Sequence, residues 1–196
     1  AGMNFAAGIP GSVGGAVSGN AGTAAGCAAD RITALSLMLP DGSRRRVFRD
    51  ELEFSYRRLL RPEGLWGKPG RESAITAAFF SLAPGDPAKI AQEAALMLEK
   101  RKASQPWGVR SAGCFFKNPE GQSAGALIDK AGLKGTRIGG AAVSRVHANF
   151  LVNEGNATAS DFQRLMSLVR DSVMEKFGIM LEPEVMTPEK PLDAGQ

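Results

Sequence analysis

The sequence predicts a fold of the α/β type on one or two domains, and three patterns carry that prediction. Short alternating or continuous apolar runs recur as strands, at residues 33–39, 44–48, 73–82, 147–153 and 179–186. Between them lie segments whose apolar residues follow the helical period and whose ends carry capping and stopping residues. Glycine clusters at residues 8–22 and 133–142 suit neither element and point to turns or to close approach of a ligand. A chain of 196 residues, 43% apolar and 22% charged, can bury a core and has an ordinary soluble composition.

Residues 1–26 hold eight of the 24 glycines. Bare backbone N–H groups in successive turns make anion-binding nests, so a pyrophosphate is the natural occupant. The spacing is neither GxGxxG before a helix nor GxxxxGK[ST], which removes the dinucleotide-fold and P-loop readings. A flexible loop is the alternative, but Ile9, Val13 and Val17 among the glycines favour order.

Residues 33–39 and 44–48 form a hairpin around the PDGS turn at 40–43. Arg44, Arg45 and Arg46 beside that turn read as a solvated edge that discourages strand pairing rather than as a nucleic-acid patch. Arg57 follows an aromatic pair, against which a guanidinium stacks, and residues 60–71 read as loop. The strand at 73–82 is closed by Pro84 and Gly85. Asp86 then caps a helix with Pro87 at its first position, Ile90, Ala94, Met97 and Leu98 forming one face and three cations ending it near Lys102.

Residues 110–119, RSAGCFFKNP, compress a thiol, two phenylalanines, a cation and an amide into ten positions. A buried strand wants branched or aromatic residues throughout, and a half-exposed one wants clean alternation. This stretch offers neither, which marks it as a candidate site; as a bare strand it would use Cys114 only as a small hydrophobe. Ala124, Leu127, Ile128 and Ala131 make a short helix face stopped by Gly132, and the next glycine cluster carries Lys134 and Arg137. After the strand at 147–153, Ser160 and Gln163 supply a capping box for the best helix of the chain. Its stripe of Phe162, Leu165, Met166, Val169, Val173 and Phe177 is core and ends at Gly178. The last strand carries Glu182 and Glu184 among apolar neighbours, Pro183 places it at an edge, and a polar tail follows Thr187.

The net charge of +4 suits an anionic small ligand, and the low aromatic content argues against a base-stacking surface. Cys27, Cys114 and the lone His147 match no disulfide framework and no metal-ligand spacing, so no metal site is expected and a reducing, cytoplasmic compartment fits. No run is long and apolar enough for a membrane helix, and the first residues lack the basic flank of a signal peptide. The chain opens on Ala1 in the middle of glycine-rich sequence, as though its front were missing.

No spacing rule connects the site candidates. The ordered motifs AAGIPGSVGGAVSGNAG, FSYR, SAGCFFKNP, AGLKG, SRVHANFLVN and LEPEV resemble the UDP-N-acetylenolpyruvoylglucosamine reductase (UDP-N-acetylmuramate dehydrogenase) family over nearly all of residues 1–185. That resemblance implies an α+β fold: a second FAD-binding subdomain of the vanillyl-alcohol-oxidase type at 1–104, its first counterpart absent, and an α/β substrate-binding domain at 105–178. Residues 179–196 would be a strand returning to the FAD side and the polar tail.

It also implies a cytoplasmic flavoenzyme of peptidoglycan precursor synthesis, with FAD reduced by NADPH and UDP-N-acetylglucosamine enolpyruvate as substrate. Carried over by motif, Arg57 would supply positive charge, Cys114 the proton and Glu184 acid assistance. Family members familiarly carry Ser at the position of Cys114. A thiol has a reference pKa of about 8.5 and yields its proton more readily than an alkyl hydroxyl, so Cys can replace Ser provided it stays protonated at neutral pH. FAD contacts would come from Gly8, Ile9, Pro10, Gly11, Ser12, Gly14, Gly15, Asn20, Ala21 and Gly22, and substrate contacts from Lys102, Lys117, Asn118, Lys134 and His147. Two other readings remain open: a UDP-sugar-binding fragment without flavin chemistry, and a different oxidoreductase of the same flavin fold.

Overall fold

The protein is described from a computed structural model that covers residues 1–60, 66–68 and 71–185. It has two compact units, Ala1–Arg101 and Lys102–Gln196. Most of the loop expected over 60–71, and the tail beyond Thr187, lie outside the described residues.

In the first unit the glycine-rich segment is ordered. Helix α1, Val13–Ser18, forms there because Ser12 caps it, its Oγ accepting from Gly15 N at 3.1 Å, and because fully buried Val17 anchors it in the core. A hairpin of β1 (Gly22–Thr23) and β2 (Gly26–Cys27) follows. The predicted strands appear as β3 (Ile32–Met38) and β4 (Arg44–Phe48), paired antiparallel with Leu35 opposite Val47. Strands β5 (Phe54–Ser55) and β6 (Arg58–Leu59) make a second hairpin, and β7 (Gly67–Lys68) and β8 (Arg71–Glu72) a third.

Strand β9, Ala74–Phe80, joins β3 on its other side, so the main sheet runs β4-β3-β9. Val17, Leu35, Leu37 and Val47 are sealed from solvent in the core beneath it. Helix α2, Pro87–Ser104, starts where expected, with Asp86 Oδ1 accepting from Ala88 N at 2.9 Å. Its predicted face is half-covered and none of its residues is fully buried.

The second unit is a four-stranded antiparallel sheet flanked by helices. Strand β10 (Arg110–Cys114) pairs with β13 (Phe150–Asn153), which pairs with β12 (Ala141–Val143) and then β11 (Arg137–Ile138). Helices α3 (Ala124–Lys130) and α4 (Ala159–Phe177) close the core, in which Phe116, Ile128, Leu151, Leu165, Val169 and Leu181 are almost fully enclosed.

Three expectations need correction. The cap of α4 is Thr158, not Ser160: Thr158 Oγ1 accepts from Asp161 N at 3.1 Å and Asp161 Oδ2 from Thr158 N at 2.9 Å. A carboxylate makes a stronger, charge-assisted cap than the Gln163 amide and suits the positive end of the helix, so the helix begins earlier. The strand expected from His147 starts at Phe150, because Ser144 Oγ accepts from the N–H groups of Val146 and His147 and holds those residues in a turn. Among the described residues the final strand is reduced to one bridge, Phe116 to Pro183, and a proline without an N–H cannot donate to a further strand on its outer edge.

Candidate active site

The thiol-bearing stretch is built by a bulge. Ser111 pairs with Val152 and Cys114 with Phe150, so Ala112 and Gly113 together face Leu151. Gly113 has φ of 89°, a conformation that disfavours any side chain, and Ser111 Oγ locks the bulge by donating to Leu151 O at 3.0 Å and accepting from Gly113 N. The bulge re-aims Cys114, which is half-buried at the end of β10.

Beyond it, Phe116 faces Pro183 in the register of a non-hydrogen-bonded pair. Lys117 N donates to Glu182 O and Glu184 N to Phe115 O, both at 2.8 Å. That is the one ladder position where a proline loses nothing. It also sets the half-buried Glu184 across from the residue following Cys114, in the same unit. The two families of side chain that the sequence could not connect are thus joined by two backbone hydrogen bonds.

Several other candidates are engaged within the protein. Lys117 pairs with Glu182, and Lys134 with Asp129 at 2.7 Å. Asn118 Oδ1 accepts from Ala124 N at 3.0 Å, tying the stretch to the start of α3. Lys102 Nζ lies 5.7 Å from the Trp107 ring centroid, a cation–π contact.

His147 Nδ1 accepts from Asn149 N at 3.2 Å, its ring meets Phe150 edge-on, and Gly125 leaves it room: a Cβ there would stand 3.0 Å from His147 Cε1. Burial, and secondarily the charge of Lys134, push the imidazole pKa below its ordinary value, against an opposing backbone hydrogen bond.

Arg57 lies in the first unit, as the second residue of the two-residue turn joining β5 and β6. Its φ is 58°, a left-handed angle that is costly for arginine, and its Nη1 donates to Gly22 O at 3.1 Å.

The glycine-rich residues divide into two groups. Gly8, Asn20 and Gly22 serve the fold: a Cβ on Gly8 would stand 2.8 Å from Leu98 Cδ1, and one on Gly22 2.5 Å from Cys27 Cβ. The buried Asn20 amide donates to Ser55 O and accepts from Ala29 N, each at 3.0 Å. Ile9 N and Ala21 N donate to the carbonyls of Ala6 and Ala16. Gly11 and Gly14, by contrast, have open space where a side chain would stand, and Pro10, Gly11 and Ser12 are exposed ahead of α1.

The residue that sequence reasoning missed is Asn149, 3% exposed, whose side chain meets Phe116 on both its N–H and its carbonyl. An amide in the apolar run HANFLV was its only signal. Among the described residues, no cluster of His, Cys, Asp or Glu is arranged to hold a metal, and no helix is long and apolar enough to cross a membrane.

Comparison with known proteins relates this fold to that of a family of reductases. The chain superimposes on the crystal structure of UDP-N-acetylenolpyruvylglucosamine reductase from Thermus caldophilus with a TM-score of 0.80 and 40% identity, over 94% of this chain and 63% of that one. Residues 105–187 match the family model described as UDP-N-acetylenolpyruvoylglucosamine reductase, C-terminal domain, and the chain belongs to that reductase family.

It is 50% identical over 186 residues to the reductase of that name from Desulfosudis oleivorans, and 46% identical over 184 residues to the one from Geobacter metallireducens. The chain spans 59% and 58% of those relatives. The motif resemblance and the mixed α+β fold expected from it are thereby borne out.

Proposed function

We propose that this chain provides the proton-donating and substrate-holding part of a cytoplasmic reductase that converts UDP-N-acetylglucosamine enolpyruvate to UDP-N-acetylmuramate, in peptidoglycan precursor synthesis. The observation that carries this reading is the pairing of residues 115–117 with 182–184, which keeps Glu184 beside the Cys114 stretch. Bound FAD, with NADPH as reductant, would supply the hydride that adds to the enolpyruvyl double bond.

The residues present fit the cofactor in part. The exposed Gly11 and Ser12 and the open space at Gly14 leave room for a pyrophosphate, and the first N–H groups of α1 precede its hydrogen-bond ladder. Asn20 and Gly22 hold the fold together beside that segment.

The chain's own residues would do the rest. Hydride addition leaves negative charge beside the substrate carboxylate. Arg57 would stabilise it, and preorganised positive charge of that kind is commonly the largest catalytic term. Cys114 Sγ–H would deliver the proton that completes reduction, leaving a thiolate to be reprotonated from solvent. Glu184 would assist as a protonated acid or by orienting the enol. Lys102, Lys117, Asn118, Lys134 and His147 would hold the sugar nucleotide, Lys117 and Lys134 exchanging their present carboxylates for its phosphates.

The test is made in the reductase that carries this chain. Cys114→Ser should keep most of the turnover, whereas Cys114→Ala should lower it by about a hundredfold or more, the usual contribution of a positioned proton donor. Equal turnover in the alanine variant and the parent would remove Cys114 from the chemistry. Titration calorimetry with UDP-N-acetylglucosamine reads the binding role separately.

A further inference from the structure

Phe116 sits between two neighbours that use different edges of its backbone. Its non-hydrogen-bonded pairing with Pro183 turns its N–H and C=O away from that segment. On the other side no strand continues, because β13 begins only at Phe150. The Asn149 carboxamide fills the place: Phe116 N donates to Asn149 Oδ1 at 3.0 Å and Asn149 Nδ2 donates to Phe116 O at 2.7 Å. The Asn149 carbonyl accepts from Phe115 N at 2.9 Å, and its own N–H is held by His147 Nδ1 at 3.2 Å. Main chain and side chain of one buried residue therefore satisfy two consecutive residues that lie between Cys114 and Lys117.

We infer that Asn149 is a positioning residue: its amide substitutes for a strand neighbour and fixes the path of residues 114–118. Cys114 is then presented by the bulge on one side, and Lys117 and Asn118 on the other. The inference deepens the function proposed above and rests on its assignment of Cys114 as proton donor. An apolar side chain would fill the same volume but orphan a buried N–H and a buried carbonyl, which are costly to leave unpaired. Aspartate is the informative replacement. Protonated, it can accept from Phe116 N and donate to Phe116 O as the amide does; ionised, it sets negative charge against that carbonyl.

The experiment follows the reaction of Cys114 with dithiodipyridine in the full chain, resolved from Cys27 by peptide mapping. Cys27 belongs to the first unit and serves as an internal reference. Asn149→Ala should speed the Cys114 reaction by about tenfold, as local opening becomes easier, with Cys27 unchanged. Asn149→Asp should match the parent near about pH 5 and approach the alanine variant near about pH 8, as the buried carboxyl ionises. Should Asn149→Ala lose its helical circular dichroism, the two pH arms of Asn149→Asp decide alone.

Cys114 rates within about twofold of the parent in Asn149→Asp at both pH values would overturn the inference, since neither protonation state would then matter to the site. If the Asn149 variants behave as expected but Cys114→Ala leaves turnover of the whole reductase intact, the positioning role stands and the assignment of Cys114 falls.

Discussion

Arg57 holds a left-handed angle that glycine or asparagine would occupy more easily, at a cost of roughly 1–2 kcal/mol. Such outliers persist where the side chain has a task, and the function proposed above gives the guanidinium one. Arg57→Gly should therefore change unfolding free energy by no more than about 1 kcal/mol, because relieved strain offsets the lost bond to Gly22 O. Turnover of the reductase should fall steeply in the same variant. Denaturant titration beside steady-state kinetics checks both halves, and a parallel loss of stability would mark Arg57 as structural.

His147 gives a pH test. Its folded pKa is depressed below 6.5, chiefly by burial, so below that value the unfolded chain binds the extra proton first. The neutral imidazole thus contributes stability that is present above about pH 6.5 and lost as pH falls below it. His147→Gln should flatten the dependence of the melting temperature on pH between about 5 and 7, where histidine titrates. The same slope in parent and variant would show that His147 ionises freely.

At the scale of elements, the corrected start of α4 separates two residues that look alike in the sequence. Thr158→Ala should cost about 1 kcal/mol, whereas exposed Ser160, inside the first turn, should tolerate alanine within about 0.5 kcal/mol. The reverse order in thermal unfolding would restore the sequence-based cap. The helical period of α4 and its Gly178 stop were legible because both are local. Helix α1 was not, since glycine is a poor helix former, and only the Ser12 cap and the burial of Val17 make six residues helical.

At the scale of the whole molecule, two hydrophobic clusters share no buried residue, one around Leu35, Leu37 and Trp66, the other around Phe116, Leu151 and Leu165. Leu165→Ala should cost about 3 kcal/mol in the second unit, as for other buried leucines. Trp66, 2% exposed in the first cluster, should keep its fluorescence transition at the parental denaturant concentration. A shift of that transition by the full amount would mean that the two cores unfold as one.

Residue chemistry and short-range pattern alone determined the β3–β4 hairpin, the helices after Asp86, Ser123 and Thr158 to within a turn, and a thiol stretch unlike ordinary strand. These depend on periodicity and capping, which act over a few residues. Only the tertiary structure decided that Glu184 lies across from Phe115, that Pro183 pairs with Phe116, and that Asn149 bonds to Phe116 from 33 positions away. Those are pairings between distant backbone groups, and their register is set by which donors and acceptors remain to be satisfied once the core has packed.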